Sequence, residues 1–439
     1  MSRRNNDLKT MYLFDLSSID SSQIYYDNGS GRTMHIAMLS AEYPPRWGGM
    51  GSTVFHLSSA LVSLGHRITI ITRNGGGSSP PPLEGVTVRM VRWARIPMAF
   101  TTSYGKYALK ELRLLHSDDP VDVVHLHCPM ISWTKKQFNI CKNEIAPIVS
   151  SLHGSWLGER DGLRIASKMK EAAVWANPND LAILLTGGYY SGFENAALSG
   201  STVCVANSRA TKQDFIDRYS PPIDWDCEVI HWGVDTTMFK PLDENNHEIE
   251  LIRERYSVPK DGKLLLAVGR LAARKGYSSL LRSFAKVIEN SKEVRLVIVG
   301  RGHLKKRLEK LAKKLGIGEY VIIESGMSFE ELAFLFRVSD LVVYPSYYEG
   351  QGLIPLEAMA SGTPVVTVNH GPLPEMVDQT VGRLFTMGDY ESMSSAILEE
   401  IHDEEGLRTK GSLGRNRVLE KYTYEGNASR FSEIYSRIV

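Results

Sequence analysis

The chain predicts an α/β protein built as two doubly wound domains in tandem, residues 34–240 and 241–439, facing each other across a cleft behind an extension at 1–33. Three observations predict it. Short, nearly continuous apolar runs recur along the chain and alternate with helical periodicities, the pattern of parallel strands buried on both faces. The alternation breaks once, in the charged stretch KPLDENNHEIELIRERYSVPKDG with proline at both ends, and then restarts. Finally, 439 residues exceed one ordinary core, which sets a prior of about two or three domains.

Taken in order, residues 1–33 are polar, with Ser, Asn and Asp clusters, and read as a surface-lying or poorly ordered extension. The first strand is MHIAMLS, Met34 to Ser40, and it runs into a Pro- and Gly-rich loop from Tyr43 to Gly51. A helix follows, with Val54, Leu57, Leu61 and Leu64 on one face at spacings of three, four and three, and Gly65 stops it. RITIIT, VTVRMV, VDVVHLH, PIVSSLH, STVCVAN and EVIHWG are the next strand-like runs. After the break come KLLLAVG, VRLVIVG, YVIIESG, LVVYPS and PVVTV, and three helical segments close the chain after Asp389. A short repeat is absent from the sequence, which excludes a solenoid.

Composition narrows the function. Hydrophobic residues make up 43% and charged residues 23%, values of a globular protein rather than a fibrous or disordered one. Lys plus Arg number 51 against 50 Asp plus Glu, so the chain has no global field for nucleic acid. The sequence lacks an apolar run of about 18 residues and a secretory signal pattern. Cys128, Cys141, Cys204 and Cys227 form no C-x-x-C pair and read as small buried hydrophobes in a reducing compartment. A cytoplasmic location is expected, with a peripheral membrane contact compatible but not demanded by any strongly basic amphipathic helix in the N-terminal half.

Four groups of residues carry candidate chemistry. In GRLAARKG, Arg270 stands at a strand end and Lys275 at the expected start of a helix, so both cations lie at the carboxyl edge of a sheet beside a helix N-terminus. A guanidinium fork and an ammonium suit a diphosphate; the plain alternative is a loop with two solvated cations. In YYEGQGLIPLEAMASGTPVV, Glu349 ends a loop where it could face a sugar, Gly352 and Leu353 open a helix whose amides could hold phosphate, and Glu357 lies one turn in, placed for ribose hydroxyls. Read plainly, Glu357 is a helix-dipole partner and Glu349 a loop charge. Gly48 and Gly49, in EYPPRWGGMG, permit close backbone approach to a ligand, though the string completes neither G-x-G-x-x-G nor a Walker A loop. His153 ends a strand at the cleft edge, whereas His125 and His127 alternate on another strand, are expected on opposite faces, and leave His125 to the core. A metal site is not expected, because H-E-x-x-H, Cys/His and D-x-D patterns are missing. The cations Lys305, Lys306, Arg307, Lys310, Lys313 and Lys314 read as the solvated side of a helix whose apolar face is Leu304, Leu308, Leu311 and Leu315.

In this order and spacing, EYPPRWGGMG, LGHRITIIT, VVHLH, HWGVDTTMFKP, GRLAARKG, LVIVGRG, EGQGLIPLEAMASGTPVV and YTYEGNASRF resemble the retaining GT-B glycosyltransferases of family 4, from about Met34 to Val439. That family includes glycogen and sucrose synthases and many mannosyl- and glucosyltransferases. The resemblance implies two Rossmann-like domains and roles by position. Arg270 and Lys275 would neutralise the donor diphosphate, Glu357 bind the nucleotide ribose, and Glu349 and His153 stand by the donor sugar, with His127 on the acceptor side. Gly48 and Gly49 would lie near phosphate and acceptor, Gly352 and Leu353 would assist with amides, and Gly300, Arg301, Gly326 and Met327 would line the base pocket. The sequence departs from the family at His231 and Trp232, where Pro-Asn is common, and in the stretch from Gly154 to Ala206 on the acceptor side.

The expected reaction moves a hexose from a nucleoside-diphosphate sugar to an acceptor hydroxyl with retention and without a metal or other cofactor. UDP or ADP with glucose is the donor toward which the opening motif leans. Carbohydrate, lipid-linked and small-molecule acceptors all stay open. The competing readings are a sugar-nucleotide epimerase or hydrolase on the same fold and a non-catalytic sugar-nucleotide-binding protein.

Overall fold

The computed structural model describes residues 32–45, 48–75, 79–171, 174–242 and 248–439, so the expected extension lies almost wholly outside the described residues. The first half holds strands β1 (His35–Leu39), β2 (Arg67–Arg73), β3 (Val86–Val91), β4 (Val123–Cys128), β5 (Ile148–Leu152), β6 (Val203–Ala206) and β7 (Cys227–Val229). They form a seven-stranded sheet in the order β3-β2-β1-β4-β5-β6-β7, with every pairing parallel. Its helices are α1 (Gly49–Ser63), α2 (Ala99–Asp118), α3 (Lys135–Glu144), α4 (Trp156–Lys168), α5 (Pro178–Gly200) and α6 (Arg209–Tyr219).

The second half holds β8 (Lys263–Val268), β9 (Val294–Val299), β10 (Val321–Glu324), β11 (Leu341–Tyr344), β12 (Val365–Val368) and β13 (Gly382–Phe385), all parallel, in the order β10-β9-β8-β11-β12-β13. Around it lie α7 (Glu248–Arg255), α8 (Tyr277–Asn290), α9 (Lys305–Lys314), α10 (Phe329–Val338), α11 (Leu353–Ala360), α12 (Leu373–Met376), α13 (Tyr390–Ile401), α14 (Glu404–Lys421) and α15 (Tyr424–Ile438). The expected strands are all present; β13 is an additional one. It is a four-residue edge strand, GRLF, with only its first and last residues buried, so it carries no run and no alternation to read.

Strand burial explains the apolar runs. Every residue of β1, β4, β5, β6, β11 and β12 is buried, because helices cover both faces. The outermost β3 and β10 are only partly covered. The chain ends back on the first half: α15 turns Tyr424, Ala428, Phe431 and Tyr435 inward, at spacings of four, three and four, against α1 and the underside of the first sheet.

In each sheet the chain reverses winding direction between two central strands, β1 and β4 in the first and β8 and β11 in the second. Ligands of doubly wound sheets bind beyond the carboxyl ends of the strands at that point. The loop with Gly48 leaves β1, GRLAARKG leaves β8, and the loop with Glu349 leaves β11.

One expectation about local geometry is corrected. A three-residue 3-10 turn, Ala273–Lys275, ends at Lys275, and Gly276, at φ 72°, separates it from α8. Lys275 therefore precedes the helix rather than opening it. The amides of α8 are also already engaged. Glu171, from the segment after α4, accepts from Ser278 N at 3.1 Å, Ser279 N at 2.9 Å, the Ser279 hydroxyl at 2.9 Å and the Tyr347 hydroxyl at 3.0 Å. A buried carboxylate occupies the anion position that the helix start provides. Glu171→Ala strands those donors and should cost about 2–4 kcal/mol in urea unfolding. Glu171→Gln, which keeps an acceptor, should recover part of the loss; an unchanged midpoint in Glu171→Ala would show that the cap contributes nothing.

Candidate active site

The loops after β8 and β11 meet around Lys275. Its Nζ contacts Glu349 Oε1 and donates to the Tyr344 hydroxyl at 3.0 Å. Glu349 Oε1 also accepts from Tyr344 at 2.6 Å and Ser346 at 2.6 Å, so the expected sugar-facing carboxylate has one oxygen committed within the protein and Oε2 without a hydrogen-bond partner among the described residues. Lys275 and Glu349 are 11% and 13% exposed, so the pair is largely shielded from water. Burial alone would raise the Glu349 pKa, but Lys275 and Arg274 hold it at about 2. Burial pushes Lys275 down to about 8 against the pull of Glu349. Arg270 is exposed, and its side chain makes no hydrogen bond or ion pair among the described residues.

Gly352 stands at φ 97° as the N-cap of α11, a left-handed conformation that a side chain disfavours. Leu353 opens that helix, and its Cδ1 lies 3.6 Å from where a side-chain carbon on Gly49 would sit. The glycine loop after β1 therefore meets the start of α11 across the two halves. Glu357 lies within α11, and its carboxylate has no hydrogen bond or ion pair among the described residues; burial pushes its pKa up to about 7.

On the first sheet, His125 and His127 share a face. Residues two apart on a strand point the same way, so the expectation of opposite faces was an error of period; their rings stack at 4.4 Å. Both are buried, His125 between Tyr435 (2.7 Å) and Ser151 (2.6 Å). His127 Nδ1 lies 3.0 Å from His153 Nε2, and His127 Nε2 is buried without a partner among the described residues. His153 follows β5 directly and stacks on Trp232 at 4.8 Å and 16°. Burial lowers its pKa to about 3, so the ring is neutral at physiological pH.

The structure thus draws Lys275, Glu349, Gly352, Leu353 and Gly49 together, with His153 touching the same loop: a side-chain carbon on Gly350 would lie 1.9 Å from the His153 carbonyl oxygen. Gly48 is the N-cap of α1 in extended conformation. Gly300 and Arg301 follow β9, where Gly300 backs onto the Gly269 carbonyl so closely that a side-chain carbon would lie 1.9 Å from it. Gly326 and Met327 line a depression of about 280 Å³ with Arg255, Lys305, Glu324 and Glu331. Neither Gly300 nor Arg301 is among the residues lining that depression.

Several residues at the site escaped the sequence reading. Arg274 pairs with Glu159 of α4 at 2.9 Å. The Tyr348 hydroxyl accepts from Ser155 N at 2.7 Å, and its ring lies in a groove made by Gly154, Gly158 and Gly162. Asn207, just past β6, is buried beside Gly350, its Oδ1 unpartnered among the described residues. The Gln351 side chain bonds both the N–H and the carbonyl of Trp232, at 2.6 and 3.0 Å. The glycine spacing of four in α4 was the one readable signal, since it leaves a smooth stripe on a helix.

Comparison with known proteins bears on the same regions. Residues 47–238 match the model described as Glycosyltransferase Family 4, and residues 248–417 match that described as Glycosyl transferases group 1. An uncharacterized glycosyltransferase of Methanocaldococcus jannaschii is 29% identical over 406 residues, 92% of this chain and 98% of that protein. Sucrose-phosphate synthase from Thermosynechococcus elongatus superposes with a TM-score of 0.73 at 21% identity, over 92% of this chain and 98% of the other. Anabaena HepE, solved in complex with UDP and glucose, superposes with a TM-score of 0.67 at 19% identity, over 92% of this chain and 100% of the other.

Proposed function

We propose, on the premise that the chain is a glycosyltransferase of the GT-B fold, that it transfers a hexose from a nucleoside-diphosphate sugar to an acceptor hydroxyl with retention at the anomeric carbon. The observation that carries this reading is the convergence of two loops at the switch point of the second sheet. They bring the Lys275–Glu349 pair to the loop whose Gly350 abuts the His153 carbonyl, with Arg270 at the end of β8 and its side chain unpaired among the described residues. Structural neighbours solved with UDP and glucose, or with ADP and acarbose, support a nucleotide-sugar donor and a carbohydrate acceptor.

In this reading the diphosphate lies between Arg270 and Lys275, with the amides at the start of α11 completing its shell. Glu357 accepts from ribose hydroxyls, which gives its carboxylate the partners it lacks among the described residues. Glu349 Oε2 and His153 face the sugar. As the bond to the anomeric carbon breaks, negative charge collects on the departing phosphate. The two cations stabilise it in place of a metal ion. The acceptor attacks from the leaving-group side and a phosphate oxygen takes its proton, so no protein nucleophile is required. Gly326 and Met327 line the depression that would take the base.

Two pKa shifts define the pH dependence. Glu357, at about 7, becomes a carboxylate as pH rises, so activity is gained there. Lys275, at about 8, loses its proton as pH rises further, so activity is lost. The expected kcat/KM profile is a narrow bell between those values, and Glu357→Gln should remove the rising limb. His153 contributes neither limb. A flat profile from about pH 6 to 9 would contradict both assignments.

A panel of nucleoside-diphosphate sugars screened by melting temperature tests the donor class, because a cognate ligand raises Tm by mass action. Transfer to a mixed acceptor pool then separates a transferase from an epimerase, which returns isomerised sugar, and from a hydrolase, which returns free sugar.

A further inference from the structure

His153 stands just past β5, and two contacts hold its ring. His127 Nδ1 lies 3.0 Å from His153 Nε2 and anchors one edge. A hydrogen bond at one ring atom leaves the ring free to tilt about it. Trp232 removes that freedom. Its ring lies against His153 at a centroid distance of 4.8 Å with the planes within 16°, and it stacks in turn on Phe431 of α15 at 5.6 Å and 11°. Trp232 is buried, and its indole N–H has no hydrogen-bond partner among the described residues. Ring contacts, rather than a hydrogen bond, therefore hold the indole. The sequence departs from the family at this position, where Asn is common, and an Asn would offer His153 no ring.

The main chain that carries the indole is fixed by two side-chain amides. Gln351 accepts from Trp232 N at 2.6 Å and donates to the Trp232 carbonyl at 3.0 Å. Asn427 of α15 accepts from Gly233 N at 2.6 Å and donates to the His231 carbonyl at 2.8 Å. An amide side chain can satisfy a backbone N–H and a carbonyl at once because it holds a donor and an acceptor side by side. Gln351 is buried and stands two residues after Glu349, in the loop that follows β11. It therefore joins the platform under His153 to the loop that carries the Glu349 carboxylate.

We propose that Trp232 is a positioning residue: it sets the tilt of the His153 ring toward the sugar, and Gln351 ties that setting to the loop bearing Glu349. The proposal deepens the donor reading and rests on it. In that reading His153 and Glu349 Oε2 face the same sugar, so their alignment with each other matters as much as the place of either. Stacking suits this task because it fixes a ring plane without occupying a ring nitrogen. With Nε2 beside His127, His153 Nδ1 has no hydrogen-bond partner among the described residues and stays available to the sugar. Trp232 acts through His153 and Gln351 acts through Trp232, so neither needs to touch the substrate.

The test measures kcat and donor KM of the full chain as release of nucleoside diphosphate from UDP-glucose or ADP-glucose, to the acceptor pool or to water. Trp232→Phe, which keeps a ring, should stay within about threefold of the wild-type kcat. Trp232→Leu should lower kcat by about tenfold to a hundredfold while donor KM and the donor-induced rise in Tm hold. Gln351→Met should lower kcat by about tenfold, and it carries the test alone where Trp232→Leu does not fold. Because Gln351 acts through Trp232, the double variant should fall no further than Trp232→Leu. Wild-type kcat in Trp232→Leu or in Gln351→Met overturns the inference. So do equal losses in Trp232→Phe and Trp232→Leu, or losses that multiply in the double variant, which are the marks of packing alone. These outcomes leave the donor reading standing. A wild-type chain that neither sugar nucleotide stabilises, or that releases no diphosphate, overturns the donor reading and this inference with it.

Discussion

Arg270→Ala should lower kcat by on the order of 10²- to 10³-fold and leave the melting temperature unchanged, whereas Lys275→Ala should lose as much activity and stability besides. The two cations are expected to share one task, yet their surroundings differ. Arg270 is exposed and unpaired among the described residues, so its removal strands nothing. Lys275 is the counter-ion of Glu349. With Lys275 gone, Glu349 keeps the Tyr344 and Ser346 hydroxyls and the pull of Arg274 but loses the nearer of the two charges that hold it ionised. Breaking such a pair from one side costs on the order of 3–5 kcal/mol when both partners are fully buried, and somewhat less here because both retain slight exposure. An intact fold is expected of Arg270→Ala alone. Denaturant midpoints alongside kcat separate the two effects. Full activity in both variants would remove the assigned roles.

Gly350→Ala should reduce kcat on the order of 10²-fold although the glycine carries no functional group. A side-chain carbon there would sit 1.9 Å from the His153 carbonyl oxygen, 2.7 Å from its carbonyl carbon and 3.0 Å from Asn207 Nδ2. The nearest obstacles are backbone atoms, which cannot swing aside as a flexible side chain would. The Gly350 carbonyl also accepts from the hydroxyls of Ser208, at 2.9 Å, and Thr211, at 2.7 Å. The methyl group must therefore push the loop bearing Glu349 away from the first half, and a displacement of about 1 Å is enough to spoil the alignment of reacting groups. Gly192→Ala in α5 is the control. Nothing lies within 4 Å of its added carbon, and in a helix interior the change should be neutral or stabilising by up to about 1 kcal/mol. Wild-type kcat in Gly350→Ala would mean that the halves do not close at this contact during turnover.

Buried parallel strands announce themselves, and so do the loops that follow them. LLLAV and LVVY are contiguous because both faces are covered, and the cations, carboxylates and glycines just beyond them fall at the carboxyl edge by topology alone. What stayed hidden depends on residues distant in sequence. Glu171 reaches the start of α8 across more than 100 positions, and nothing local marks it as a cap. The commitment of Glu349 Oε1 to Lys275 is likewise a product of packing. His125 and His127 were legible in principle: the period of two on a strand puts them on one face, and the stacked rings follow from it. β13 was not, because a short edge strand containing Gly and Arg has no pattern to betray it.

The most direct measurement is a crystal structure of the chain with a bound nucleoside diphosphate. The account predicts the diphosphate oxygens within hydrogen-bond reach of both Arg270 and Lys275, with the ribose hydroxyls on Glu357. A diphosphate bound elsewhere, with both cations out of reach of it, would contradict the account at its root.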